Sequence, residues 1–209
     1  MQAKGIEMYH EYVSKAGDRY SIFESISQYD VIKKALYPGS YIHITPSLII
    51  PEVIYVDTDK KAIKFFQQET GIKDFVTSNK VYPEPCSIQF EAKDYWEELS
   101  IPLGYVDLLI SQYAGFVSQA CKKYLKKGGI LLANDSHGDA TLAKADKAFE
   151  FIGTLQHKQG SYKMESKDLE QYFTRYQGRP VDLDKVKQTM KGPKYLVGSD
   201  YYVFRKIRD

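Results

Sequence analysis

The sequence predicts an α/β sandwich built around a mainly parallel sheet. Short apolar runs typical of strands alternate with amphipathic helical segments, without internal repeats or low-complexity tracts. The run 105–110 is apolar except for Asp107, as expected for a strand that is covered on both faces. Residues 34–60 contain a strand, a glycine-containing turn, a short helix and a second strand that ends at Asp57.

The first predicted unit is a helical segment over residues 1–30, which precedes an α/β domain over residues 31–209. Met8 and Tyr12 fall on one helical face, and the Gly17-Asp18 pair divides the segment into two helices. Such a segment either lies across the mouth of a ligand site as a lid or covers an open face of the sheet. The sequence leaves both alternatives open.

The opening of the α/β domain has the order of a nucleotide-binding βαβ unit. A strand ends in a turn built on Pro38 and Gly39, and Thr45 is expected to cap a short helix that has a proline in its first turn. Backbone amides in the turn would approach a polar ligand, and Asp57 would take ribose hydroxyls. The alternative is that Asp57 or Asp59 caps the helix that follows.

The remaining elements continue the alternation of helices and strands. Further strands are predicted over 87–90, 130–133, 149–155 and 200–207. Further helices are predicted over 60–70, from residue 94 onward, over 116–127, up to about 147, over 169–176 and over 182–190. Gly71 and the Gly128-Gly129 pair are expected to end two of these helices, and residues 73–85 are expected to be a loop-rich connection.

Composition excludes several classes of function. A net charge of +2 does not indicate binding to long nucleic acid, and the lysines over 122–127 are interpreted as a solvated helix face. Cys86 and Cys121 form no CxxC pair, which favours a reduced, cytoplasmic setting. No signal peptide and no apolar run of membrane-spanning length is found. The absence of GxSxG, Walker and HExxH motifs argues against hydrolases, nucleotide triphosphatases and zinc proteases.

A family resemblance rests on four features taken together. These are the acid that ends the second strand, the Asp94-Tyr95 pair after the third, the passage KKYLKKGGILLAND and the late aromatic strand DYYVFRK. Over roughly residues 30–207 the chain resembles the class I S-adenosylmethionine-dependent methyltransferases. The resemblance implies a Rossmann-like three-layer sandwich whose seven-stranded, mainly parallel sheet has one antiparallel strand. It also implies S-adenosylmethionine as cofactor and a small-molecule or macromolecular methyl acceptor.

The same resemblance implies a set of cofactor-binding residues. Asp57 would accept hydrogen bonds from the two ribose hydroxyls, a task suited to a carboxylate. Asp94 would take the adenine amino group, although it is alternatively the cap of a following helix. The other implied cofactor contacts are the loop residues Tyr37, Gly39 and Ser40 beside the methionine part, Tyr95 on the purine ring, and Ser111 at the end of the fourth strand.

Three residues are candidates for the transfer chemistry. Tyr113 follows the fourth strand and would lie beside the transferred methyl group. His137 and Asp135 follow the fifth strand, at the sheet edge where ligands bind in such folds, although a structural role for His137 is the alternative. Asn134-Asp135 resembles the metal-binding pair of cation-dependent O-methyltransferases, but Ser111 stands in the region where the partner acid is expected, so no metal is predicted.

The chain departs from the family pattern in the glycine-rich loop. Tyr37 stands where the family has an acid, and Tyr41 and His43 stand where its second and third glycines fall. Either the backbone takes another path here, or cofactor binding is altered or lost. The alternative function is therefore a non-catalytic binding or interaction protein with a methyltransferase fold. A nicotinamide-binding domain is a further alternative, which the missing glycines and the GGILLAND passage disfavour.

Overall fold

The computed structural model describes residues 2–208. The chain forms two compact units, Met1–Ser100 and Ile101–Asp209, each of which has strands and helices of its own. No helix within residues 2–208 combines the length and the apolar character needed to cross a lipid bilayer.

The first unit places a three-stranded parallel sheet among four helices. Its elements are α1 (Gln2–Ala16), α2 (Tyr20–Tyr29), β1 (Lys34–Pro38), a 3-10 turn (Thr45–Leu48), β2 (Glu52–Val56), α3 (Lys60–Phe66), α4 (Glu69–Asn79) and β3 (Ser87–Glu91). The strand order is β3-β2-β1, and Val56 is in register with both Pro38 and Glu91. The three strands therefore end at one edge, immediately before Gly39, Asp57 and Ala92.

The helices of the first unit pack through aromatic and apolar side chains. The Tyr9 ring of α1 meets the Phe75 ring of α4 edge-on at 5.6 Å between centroids. The Tyr9 and Thr45 hydroxyls lie 2.8 Å apart, and Tyr55 reaches Ser47 in the same way at 2.6 Å. These buried hydroxyls satisfy one another, so the 3-10 turn is bonded both to α1 and to β2.

The second unit carries a five-stranded mixed sheet. Its elements are β4 (Val106–Ser111), α5 (Val117–Cys121), a 3-10 turn (Lys122–Tyr124), β5 (Leu125–Ala133), α6 (Asp139–Ala145), β6 (Phe149–Lys158), β7 (Ser161–Glu165), two 3-10 turns (Leu169–Gln171 and Tyr176–Gly178), α7 (Leu183–Thr189) and β8 (Tyr201–Lys206). The order is β4-β5-β8-β6-β7. β4 and β5 are parallel, whereas β8 is antiparallel to both of its neighbours and β7 is antiparallel to β6.

The predicted α/β fold with a Rossmann-like strand order is confirmed, and the strand count is corrected. The resemblance implies one antiparallel strand, and the described residues have two: β8, which lies between β5 and β6, and β7, which is antiparallel to β6. The described residues contain eight strands rather than seven, because β7 was missed. β7 arises from a two-residue hairpin in which Gln159 and Gly160 both have positive φ, 50° and 83°. That geometry matches the twist of the flanking strands.

Two glycine positions were misread as the ends of helices. The helix predicted over 60–70 ends at Phe66, and Gly71 lies buried within α4, so much of the predicted loop 73–85 is helical. The helix predicted over 116–127 ends at Cys121, and β5 already begins at Leu125. The Gly128-Gly129 pair lies inside β5, where a side chain on Gly129 would come within 3.0 Å of the Asp107 carbonyl.

The remaining differences concern short helices. Residues 94–102, all within the described chain, form turns instead of the predicted helix, and only 3-10 turns occur over 169–178. The cap of the first 3-10 turn is Ile44 rather than Thr45, whose hydroxyl is bonded to Tyr9. Asp182 is the N-cap of α7, as predicted, and accepts a hydrogen bond from the Lys185 amide.

Candidate functional site

The carboxyl edge of the first unit turns sharply after β1. Gly39 has φ 63°, a left-handed conformation that costs glycine little, and its amide donates to the Val56 carbonyl at 2.8 Å. The Asp57 amide donates to the Glu91 carbonyl at 3.2 Å. The two predicted cofactor residues Gly39 and Asp57 are thereby brought to the same edge of the sheet.

The Asp57 carboxylate ties two loops together at this edge. One oxygen, Oδ2, accepts a hydrogen bond from the Tyr41 amide at 2.7 Å, and the other, Oδ1, accepts from the Asp59 amide at 2.8 Å. Asp59, and not Asp57, caps α3 by accepting from the Lys61 and Ala62 amides. A carboxylate has about four acceptor positions, so the half-buried Asp57 keeps capacity for a further donor.

Tyr41 has a left-handed backbone conformation of the kind that glycine adopts easily. Its φ is 50°, which is unfavourable for a residue with a side chain. The bond from its amide to Asp57 helps to hold this conformation, and its ring meets the Tyr12 ring edge-on at 5.4 Å between centroids. A residue with a side chain therefore holds a left-handed turn at this position.

His43, at the third glycine position, belongs to the core. Its ring is fully buried, with Nε2 2.8 Å from the Asp18 carbonyl and Nδ1 3.2 Å from the Tyr37 hydroxyl. Because a carbonyl only accepts, Nε2 carries the proton and Nδ1 accepts from Tyr37. Burial lowers the pKa of His43 to about 3. His43 is therefore neutral, and the buried Tyr37 side chain is engaged with it.

The other predicted cofactor residues of this unit make local contacts. Asp94 is exposed, and its Oδ1 accepts from the Trp96 amide at 3.0 Å. It caps a turn and not a helix, so the interpretation of Asp94 as a helix cap is wrong. Tyr95 is half-buried with its ring 6.0 Å from that of Trp96, and Ser40 is buried directly after Gly39.

At the carboxyl edge of the second unit, Ser111 ends β4 in register with Ala133 of β5. The Ser111 hydroxyl donates to the carboxylate of Asp139, which also accepts from the amide and the hydroxyl of Ser118. Burial raises the pKa of Asp139 to about 6. Asp139 was not identified as a site residue from the sequence. Its only signal there is an acid directly after Gly138, at the start of a helix.

A chain of hydrogen bonds joins Tyr113 to His137. The Tyr113 amide donates to Asn134 Oδ1 over a long 3.4 Å, and the Ser136 hydroxyl donates to the same oxygen at 2.9 Å. Ser136 Oγ also lies 3.1 Å from His137 Nδ1. Because the Ser136 proton is used on Asn134, His137 Nδ1 must donate, which leaves Nε2 as the proton acceptor. Tyr113 itself is exposed and has φ 58°.

Asp135 and His137 have different hydrogen-bond partners. Its two oxygens accept from the amide and the hydroxyl of Thr141, each at 2.8 Å, and Tyr195 donates to the same hydroxyl at 2.8 Å. A side chain on Gly192 would lie 2.2 Å from Asp135 Oδ2, so the chain passes closely over this carboxylate. Burial raises the pKa of Asp135 to about 6.

Asn134 was named in the sequence only as part of a metal-like pair. In the structure its Oδ1 accepts two hydrogen bonds, while its Nδ2 is buried and has no hydrogen-bond partner among the described residues. An unpaired buried donor is uncommon in proteins, and water or a ligand oxygen are acceptors that would satisfy it. Within residues 2–208, no cluster of three or more histidine, cysteine, aspartate or glutamate side chains is arranged to hold a metal ion.

No protein-family model matches this chain, and no curated protein matches it. Among solved structures, a protein of Methanococcus maripaludis described as an S-adenosyl-L-methionine-dependent methyltransferase is 14% identical with a TM-score of 0.49. That match covers 100% of this chain and 94% of the other. A methyltransferase from Geobacter sulfurreducens is 9% identical with a TM-score of 0.48, covering 77% of this chain and 88% of the other. The chain spans about half of the length of two further matched structures, 54% and 45%. At sequence identities this low, the similarity to solved structures bears on the fold of the chain and not on its activity.

Proposed function

We propose that this protein is an S-adenosylmethionine-dependent methyltransferase. The observation that carries the proposal is the position of Asp57, an acid at the carboxyl end of β2 that is not used to cap α3. An acid in this place suits the two hydroxyls of a ribose. The reversed strand β8 between β5 and β6 supports the same family, since the resemblance implies one such strand.

The residues of the first unit fit the cofactor. Asp57 keeps acceptor capacity for the ribose, and Gly39, which has no side chain, has a left-handed conformation in the neighbouring turn. Asp94 would take the adenine amino group, with Tyr95 on the purine ring. When bound, S-adenosylmethionine supplies a methyl group on a positively charged sulfur.

The residues of the second unit suit an acceptor that must lose a proton. His137 holds its Nδ1 proton on Ser136, so its Nε2 can take a proton from an oxygen or nitrogen nucleophile. The unpaired Nδ2 of Asn134 would donate to an oxygen of the same acceptor. Tyr113 would lie beside the methyl group that is transferred. Ser111, which donates to Asp139, would hold the end of β4 in place. Asp135, which accepts from Thr141, would hold the residues that follow β5.

A pair of aspartate variants tests the cofactor assignment. Asp57→Asn keeps the size of the side chain but loses the charge that strengthens hydrogen bonds to ribose hydroxyls. We expect it to weaken the binding of S-adenosylhomocysteine, measured by isothermal titration, by about tenfold or more. The matched control is Asp59→Asn, because asparagine is also a good helix cap and should leave the affinity unchanged. Equal affinity of Asp57→Asn and the wild type would contradict the assignment.

The second candidate function is a non-catalytic binding protein with the same fold. It is favoured by Tyr41, whose side chain occupies a position that the family keeps empty with glycine. The titration separates the candidates, because a protein that binds neither S-adenosylmethionine nor S-adenosylhomocysteine cannot be this kind of methyltransferase.

A further inference from the structure

The first unit contains a cavity of about 790 Å³ whose lining the proposed function uses only at Tyr41. Its walls come from α1, from the loop after β1 and from α3 with the residues that follow it. This volume lies within the range of small-molecule sites. Neither Gly39 nor Asp57 lines it, but Tyr41, whose amide bonds Asp57, does, so the cavity borders the proposed ribose contact.

One wall of the cavity is apolar and aromatic. Met8 and Tyr12 of α1 line it together with Tyr41 and Ile42 of the loop. The Tyr12 and Tyr41 rings meet at an interplanar angle of 62°, and both residues are half-buried. Rings in this arrangement offer both an edge and a face, which suits contact with another flat aromatic group.

The rest of the lining is polar and mainly cationic. It holds Lys15, Lys61 and Lys64 but a single acid, Glu11, whose carboxylate already bonds Lys15 at 2.6 Å. The pKa of Glu11 is lowered chiefly by this bond and to a smaller extent by the charge of Lys61. No carboxylate of the described residues lies within ion-pair distance of Lys61 or Lys64. These two lysines, three residues apart on α3, share a helix face.

We propose that this cavity binds a small molecule in which a planar aromatic group carries a phosphate or carboxylate. The tyrosine pair contacts the aromatic group. The Lys61 and Lys64 ammonium groups, which are compact charges with three donors each, bind the anion. The proposal does not depend on the methyltransferase assignment, because it uses only residues of this cavity.

The test is a titration of the full chain with 1-naphthyl phosphate and with 1-naphthol, which has the same rings but no phosphate. We expect the wild type to bind the phosphate at least about tenfold more tightly than the naphthol. The double variant Lys61→Gln/Lys64→Gln should lose about tenfold in affinity for the phosphate and none for the naphthol. Tyr12→Leu, which keeps an apolar side chain, should weaken the binding of both compounds.

The matched control is Lys60→Gln/Lys73→Gln, which removes the same charge from exposed positions outside this cavity. It should retain the wild-type affinity for 1-naphthyl phosphate within about twofold. Equal loss in both double variants would show a general charge effect and would overturn the site. No binding by the wild type, equal binding of the two compounds, or displacement of 1-naphthyl phosphate by S-adenosylhomocysteine would also overturn it. Circular dichroism verifies that each variant is folded.

Discussion

The backbone conformation of Tyr41 destabilises the folded protein, whereas the packing of its ring stabilises it. Its φ of 50° favours glycine, while its ring packs against Tyr12. We therefore expect Tyr41→Gly to be more stable than Tyr41→Ala by about 1 kcal/mol in urea unfolding, since both lose the ring and only glycine escapes the strain. At an ordinary position the order is reversed, because glycine gains more entropy on unfolding. A more stable alanine variant would contradict the observed turn.

The tautomer of His137 is a second property at the residue scale. The bond from Ser136 to Asn134 predicts that His137 carries its proton on Nδ1 when it is neutral. Nitrogen NMR of the imidazole distinguishes the two tautomers directly. Ser136→Ala removes the acceptor of this proton and should shift the equilibrium toward the Nε2 form. A wild-type His137 protonated on Nε2 would remove the basis for its role as a proton acceptor.

At the scale of elements, Asp139 joins β4, α5 and α6 through Ser111 and Ser118. Burial raises its pKa to about 6 from the ordinary aspartate value of 3.8. The folded state therefore binds more protons than the unfolded state between these values, and stability falls as the pH rises through this window. His43 acts in the opposite sense, since its lowered pKa removes stability as the pH falls below about 6.5.

The contribution of Asp139 is isolated by comparing the wild type with Asp139→Asn, because His43 is present in both proteins. We expect the wild type to lose on the order of 3 kcal/mol relative to the variant between about pH 4 and about pH 7. Urea unfolding at several pH values measures the difference. A difference that does not change with pH, or one that grows in favour of the wild type, would contradict the raised pKa.

The elements also show which local signals in the sequence are reliable. Buried strands and the capped helix at Asp182 were predictable because hydrophobic runs and side-chain caps act over a few residues. Gly71 and Gly128-Gly129 were wrongly predicted to end helices, because a glycine ends a helix only where the chain turns. Here packing keeps Gly71 inside α4, and strand pairing keeps Gly128-Gly129 inside β5. The Gln159-Gly160 hairpin was missed because glutamine is not the usual residue at a left-handed position.

At the scale of the whole molecule, the fold was predicted more completely than the site. The alternation of helical and strand patterns made the α/β class accessible from sequence, whereas a reversed strand was expected only from the family resemblance. The roles of His43 and Asp139 could not be predicted from the sequence, because a buried and an exposed side chain of the same type look alike there. The cavity beside Tyr41 was also hidden, since it depends on α1 packing near α3.

The most direct test of the central claim is to follow the backbone amide signals of the wild-type protein during titration with S-adenosylhomocysteine. We predict saturable shifts at the amides of Gly39, Tyr41 and Asp57, because the cofactor would contact this turn and its acid. No saturable shift anywhere, or shifts that leave these three amides unchanged, would contradict the assignment of a methyltransferase cofactor site to this edge of the sheet.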